Sequence, residues 1–207
     1  MDRTLALIQD WIRKSSQKVS VIPKITQDEE CNTFLGISEE SVLGTLINHT
    51  GGLAVFDGVI RHLGGRNQYT LSIFDVNRIT THIPTRIPGV LIVAVDIYGG
   101  VFCISNNAEL GKPGSMIYLP PENDHWYQMK IGHASFVKWS MTEAVKVFYK
   151  EFTRLPTVQN LRFDQILSYN PALWENGVNS KRISVSAVPV NMLLQKRISC
   201  LRKTKAQ

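Results

Sequence analysis

Cysteine is scarce in this chain. Cys31, Cys103 and Cys200 stand far apart, their number is odd, and no C-x-x-C occurs. That argues against a disulfide framework and against a cysteine-rich zinc site, and leaves buried or idle thiols in a reducing compartment as the plain reading. Long apolar runs are missing as well. The N-terminal MDRTLALIQDWIRKSSQ is interrupted by Asp10 and is too short in its apolar part for a signal peptide, while the longest apolar stretch, GVLIVAVDIYGGVF, contains Asp96 and a glycine pair. A membrane span needs about 20 apolar residues. The expectation is a soluble, cytoplasmic protein without a membrane partner.

Acidic residues disappear after Glu175, beyond which lie Lys181, Arg182, Lys196, Arg197, Arg202, Lys203 and Lys205. Residues 1–176 hold 16 basic against 17 acidic residues, so the formal net charge of +6 reports a basic C-terminal end and not a basic body. A nucleic-acid binder spreads positive charge over a folded face, so nucleic acid is not the expected partner. The tail reads first as a solvated terminus, and more sharply as a weak contact for a phosphate or an acidic partner.

Catalytic signatures are also absent. LGKPGS places Pro113 after Gly111-Lys112 and has no upstream glycine for a phosphate loop. There is no G-x-S-x-G and no H-E-x-x-H, and GGRN lacks dinucleotide-loop spacing. The five histidines are His49, His62, His82, His125 and His133, and no pair has metal-ligand spacing with a carboxylate between. Asp124 and His125 are neighbours, which on a strand point to opposite faces. No metal and no cofactor are expected. Cys103 can be imagined as a nucleophile with a histidine and Asp96, but a core thiol is the simpler reading.

What is present is a 207-residue chain, 43% hydrophobic, with helical texture at both ends and strand texture between. Leu5, Ile8, Trp11 and Ile12 predict a helix over 3–14. SVIPKITQDEECNTFLG reads as irregular, with Pro23 in it. Ser38 is the expected N-cap of a second helix, with Glu39 and Glu40 in its first turn and a glycine stop at NHTGG. Asp57-Gly58 predicts a hairpin turn between LAVF and VIRHLG. Residues 69–87, broken by Pro84, are ambiguous. GVLIVAVDIYGGVFCISN predicts two strands joined at Tyr98-Gly99-Gly100, and SMIYLP and HWYQMKI predict two more. Phe136, Val137, Trp139, Val145, Phe148 and Tyr149 have helical spacing with a break near Met141-Thr142. RISVSAV predicts a strand, and Val190, Leu193, Leu194, Ile198 and Leu201 one face of a last helix, with Lys196, Arg197 and Lys203 off it.

Strands joined by short turns make a largely antiparallel sheet. The fold class is α+β, one domain over 1–207, with a lead-in at 1–37, a core at 38–195 and the basic tail at 196–207. Asp96, a carboxylate in an apolar strand, has three readings. It is a general acid or base working with His125 or His133. It is a cap for the turn at Tyr98-Gly99-Gly100, which is the plainest of the three. Or it marks a polar rim where a partner binds.

The blocks HTGGLAVFDGVIRHLG, VAVDIYGGVFCISN and GSMIYLPPENDHWYQMKIGHASFVKW resemble an uncharacterised bacterial family, a catalogued domain of unknown function. Matching positions are Thr50, Gly51, Gly52, Leu63, Gly64, Asp96, Gly99, Gly100, Tyr118, Pro121, Trp126, Gly132, Phe136 and Trp139, with Trp174 and Val188-Pro189 further on. The likeness covers roughly residues 40–195 of the chain. It departs from the family at Val95, where a first aspartate would stand, and at Ser105-Asn106-Asn107, where the family has Asn-Gly-Gly. The family's layout is similar to the SUKH superfamily of immunity-type binding proteins. The resemblance implies a non-enzymatic module that binds another protein. The alternative is an enzyme using Asp96 with a histidine.

Overall fold

The computed structural model describes residues 2–25, 36–77, 89–175 and 183–204, the last six of these for their backbone only. Cys31, His82, Pro84, Lys181, Arg182 and Lys205, which figured in the sequence reading, lie outside the described residues.

Helix α1 spans Arg3–Arg13. Its start is fixed by Asp2, whose carboxylate accepts from the Thr4 and Leu5 amides at 2.9 and 3.2 Å. Its apolar stripe buries Ile8 against Val42, Leu46, Leu53, Val55, Val137 and Met141. Strand β1 (Val19–Ile22) follows, where an irregular segment was expected. Only four residues long, it sits at the sheet edge and stops directly before Pro23, which the end of an edge strand tolerates.

Helix α2 spans Val42–His49, and its N-cap is Ser41, not Ser38. The Ser41 hydroxyl accepts from the Gly44 amide at 3.0 Å and donates to the Ser38 carbonyl at 2.6 Å. Glu39 and Glu40 therefore occupy a turn ahead of the helix. That turn presses on Gly44, where a Cβ would lie 2.2 Å from the Ser38 oxygen.

Strands β2 (Gly52–Val55) and β3 (Ile60–Leu63) form the hairpin expected around Asp57-Gly58. The short helix α3 (Ile73–Asn77) falls in the ambiguous stretch. It opens on a reciprocal cap in which the Asp75 amide donates to the Ser72 hydroxyl at 3.2 Å and the Ser72 amide donates to the Asp75 carboxylate at 3.0 Å. Strands β4 (Val90–Asp96), β5 (Val101–Ser105), β6 (Ser115–Leu119) and β7 (Tyr127–Gly132) complete a seven-stranded antiparallel meander in sequence order. Helices α4 (His133–Ser140) and α5 (Ala144–Phe148) break at Met141–Glu143, as their spacing suggested. Strands β8 (Gln165–Asn170) and β9 (Ser184–Pro189) pair with each other, and α6 (Val190–Thr204) closes the described chain. The protein is a mixed α+β domain with six helices among the described residues.

Register decides the layering. Leu53, His62, Ala94, Phe102 and Tyr118 are successive cross-strand partners, so they form one row on one face. Phe136 of α4 and Phe148 of α5 pack on the Phe102 and Tyr118 rings, so the helices cover that face. Ala54, Arg61, Val95, Val101 and Leu119 make the neighbouring row on the other face. Arg61 there donates to the carbonyls of Phe163 and Gln165, so the β8–β9 ribbon lies over that side. With both faces covered, the central strands lose the in/out alternation of a half-buried sheet, and all of β3 is buried.

Candidate functional site

Asp96 is the last residue of β4 and is fully buried. Its Oδ1 accepts from the backbone amides of Tyr98 and Gly100 at 3.0 and 2.8 Å. Its Oδ2 accepts from the hydroxyls of Tyr118 and Tyr149 at 2.8 and 3.1 Å. A carboxylate offers about four lone-pair sites, and four donors fill them. Gly100 is obligatory here, because a Cβ would lie 2.2 Å from Asp96 Oδ2 and 2.4 Å from the Tyr118 oxygen. Gly99 turns the chain at φ +98°, with Leu193 of α6 packed on it. Burial raises the Asp96 carboxyl above its ordinary range, against the pull of its four hydrogen bonds. Burial and the facing carboxylate push the Tyr118 and Tyr149 hydroxyls well up, so both remain donors at neutral pH.

Neither His125 nor His133 is among the partners of Asp96. His125 is exposed on the turn before β7, 3.7 Å from Asp124. His133 opens α4, with both ring nitrogens buried and without a partner among the described residues. His62, from the centre of β3, places Nε2 2.9 Å from the Ser140 hydroxyl, which itself donates to the Val137 carbonyl at 2.7 Å. The serine proton is thus committed, and Nε2 of His62 carries the hydrogen. Burial holds His62 down to about 3 and His133 to about 4. Both pKa values lie below the unfolded value of 6.5. Their contribution is therefore full above that value and lost as pH falls toward the folded values. Histidine ring resonances are expected to report neutral imidazoles for both at about pH 5.5, with stability already declining.

Tyr118 belongs to two environments. Its hydroxyl faces Asp96, and its ring lines a groove of about 580 Å³ beside β7. Tyr127, Met129, Ile131, Trp139, Phe148 and Phe152 supply most of the apolar wall. Trp139 stands edge-on to Phe148 at 5.2 Å, and Phe102 stacks on Tyr118 at 4.3 Å. Glu122 is the one carboxylate in that wall among the described residues, and partial burial raises its pKa. No lysine or arginine among the described residues lines the groove.

The other motif residues are spread through the framework. Phe136 is fully buried, its ring 4.7 Å from Phe102 and 5.0 Å from His62. Trp126 and Trp174 are half-buried against the main core. Gly51, Gly52 and Gly64 lie where α2 enters the sheet. There a Cβ on Gly51 would meet the Pro23 oxygen at 2.6 Å, and one on Gly64 would meet the Gly52 nitrogen at 2.5 Å. The C-cap itself is Thr50 in extended conformation, so Gly51 and Gly64 are needed for close approach and not for a left-handed helix end. Cys103 is buried and free.

Two buried cations were not anticipated. Arg197, placed off the apolar face of α6 by its spacing, is 3% exposed and donates to the carbonyls of Pro120, Pro121 and Asn123. Arg61 is also 3% exposed. Helical spacing gives the direction of a side chain but not what covers it, and the segment after β6 covers Arg197.

An antiparallel meander walled by helices on one face and a ribbon on the other, with a capped central hairpin, defines a mixed α+β domain. The chain belongs to the family described as Protein of unknown function DUF2625, which matches residues 1–193. The match takes in α1 and the lead-in as well as the blocks that carried the sequence resemblance. The chain is similar to the uncharacterised Escherichia coli (strain K12) protein YbfG, 24% identical over 180 residues, covering 84% of this chain and 81% of that one. It is also similar to an uncharacterised Haemophilus influenzae protein, 25% identical over 146 residues, covering 69% of this chain and 64% of that one. No helix among the described residues is long and apolar enough to cross a membrane.

Proposed function

We propose that this protein is a non-enzymatic binding module that takes an extended apolar segment of another protein into the groove beside β7. The observation that carries the reading is the groove itself, an aromatic wall at the terminal strand of the sheet. Tyr127 on that wall is 54% exposed. Large aromatics and methionine are the side chains that dominate protein interfaces. Glu122, the single carboxylate among the described lining residues, has the Arg197 guanidinium as a cationic neighbour and favours a segment that places a hydrogen-bond-donating side chain beside its apolar anchors. Support also comes from Asp96, whose oxygens are taken by turn amides and tyrosine hydroxyls and not by a histidine. A cytoplasmic setting, a kinship with SUKH-type immunity proteins, and a weak contact of the basic C-terminal end with an acidic partner belong to the same proposal.

Met129→Arg tests it by placing a cation in the apolar wall. A partner captured from the native host by the wild type, then purified and titrated, is expected to bind the variant at least about tenfold more weakly. Equal affinity for both forms overturns the reading. So does native mass spectrometry showing a small molecule, and no protein, displaced by the substitution.

A further inference from the structure

A second concavity lies on the opposite face of the sheet, about 480 Å³, between the β2–β3 turn and residues 157–163. Arg61 lines it, together with Tyr69, Thr157, Asn160, Arg162 and Phe163. The Arg61 guanidinium is held from behind. Its Nε donates to the Gly58 carbonyl at 3.2 Å, and its Nη1 donates to the Phe163 carbonyl at 2.9 Å and to that of Gln165. The Phe163 ring lies 6.0 Å from its centre. Nη2 has no hydrogen-bond partner among the described residues, and no carboxylate there comes within ion-pair distance of the group. Of the neighbouring acids, Asp164 is paired with Arg162 at 2.8 Å, and Asp57, an exposed carboxylate on the rim of the cavity, lies 3.5 Å from Lys18.

A buried charge is retained at a cost unless it is compensated. Carbonyl dipoles compensate Arg61 in part, and they hold its remaining donors at the cavity wall. Burial lowers its pKa only to about 10, so it is charged at neutral pH. A fixed guanidinium fork with free donors is the group that recognises carboxylate and phosphate oxygens. Arg162 on the same wall is paired with Asp164, so Arg61 is the cation left to a ligand, and the Thr157 hydroxyl and Asn160 amide add neutral polar groups.

We propose that this cavity is a binding site for a small oxyanion, a carboxylate or a phosphate, held by Arg61. It is separate from the groove beside β7 and does not depend on the function proposed for that groove.

The test is a titration of the full chain, once with sodium phosphate and once with sodium succinate, at constant ionic strength set by sodium chloride. The arginine Nε–H resonances are followed, since the Gly58 hydrogen bond slows exchange of the Arg61 proton. Saturable displacement of one buried arginine signal is expected with at least one probe. Saturation by phosphate alone assigns the phosphate class, by succinate alone the carboxylate class, and by both a general oxyanion site. Arg61→Met removes the fork but also the carbonyl contacts of the ribbon, so the deciding variant is Thr157→Phe. This fills the cavity from an exposed loop position and leaves the Arg61 hydrogen bonds in place. With the circular dichroism spectrum and melting temperature unchanged, it is expected to weaken the anion by about tenfold or more. No saturable shift with either probe, or undiminished saturation in the folded Thr157→Phe form, overturns the proposal.

Discussion

Asp96→Ala is expected to leave a chain that does not hold its native fold at 37 °C. The substitution orphans four donors at once, the amides of Tyr98 and Gly100 and the hydroxyls of Tyr118 and Tyr149. Each buried unsatisfied group costs roughly 1–3 kcal/mol, so the sum is comparable with the whole stability of a typical domain, about 5–15 kcal/mol. The measurement is urea unfolding followed by circular dichroism, and a midpoint within experimental scatter of the wild type would show that the hub carries no stability.

Asp96→Asn separates structure from chemistry. The amide oxygen keeps the two turn amides, and the tyrosine hydroxyls can rotate to accept from the side-chain nitrogen, so a loss of about 1–2 kcal/mol is expected. Its pH dependence has a fixed sign. A carboxyl raised above its unfolded value contributes stability that is full below the ordinary value of 3.8 and is lost as pH rises through the folded pKa. The asparagine does not titrate, and the other carboxylates are common to both forms. The stability gap between wild type and Asp96→Asn should therefore narrow as pH rises above the ordinary value of 3.8 and through the raised folded pKa. The binding reading further expects partner affinity to survive in the folded asparagine form, whereas an acid–base role for Asp96 would tie any activity to the carboxylate.

The turn half of this hub was legible in the sequence. Aspartate followed by Ile-Tyr-Gly-Gly at the end of an apolar run has the chemistry of a capped tight turn, and the two amide contacts are two and four residues away. The tyrosine half was not, because Tyr118 and Tyr149 arrive from 22 and 53 residues further along the chain. The same limit explains the other differences. β1 carries too few residues to show a period, and Pro23 directly after it has the chemistry of a loop. Ser38 and Ser41 both precede an apolar run, and only the packing of Gly44 on the Ser38 carbonyl decides which of them caps α2. Arg61 sits in a strand buried on both faces, where alternation no longer separates inside from outside.

Arg197 is where that limit has the largest energetic consequence. Spacing on α6 groups it with a solvated basic tail, and a solvated arginine could be replaced with changes within about 0.5 kcal/mol. In the fold it spans three carbonyls, those of Pro120, Pro121 and Asn123, with its guanidinium 5.0 Å from the Trp174 ring centre. Burial lowers its pKa to about 10, and no carboxylate among the described residues forms an ion pair with it. Arg197→Met keeps the stem and removes the donors, leaving buried carbonyls unmatched but also relieving the desolvated charge. The two effects together give an expected loss of about 3 kcal/mol. For a chain of this size that is a fall in melting temperature of roughly 6–12 °C. Arg197→Lys is not expected to restore it, since an ammonium on a flexible stem cannot span three carbonyls as a planar fork does. Lys196→Met, one residue earlier and exposed, is the control and should stay within about 0.5 kcal/mol. Because Pro120 and Glu122 also line the groove beside β7, loosening their segment should weaken the bound partner in Arg197→Met even below its melting temperature. A wild-type melting temperature in Arg197→Met would return this residue to the solvated tail that its sequence position suggested.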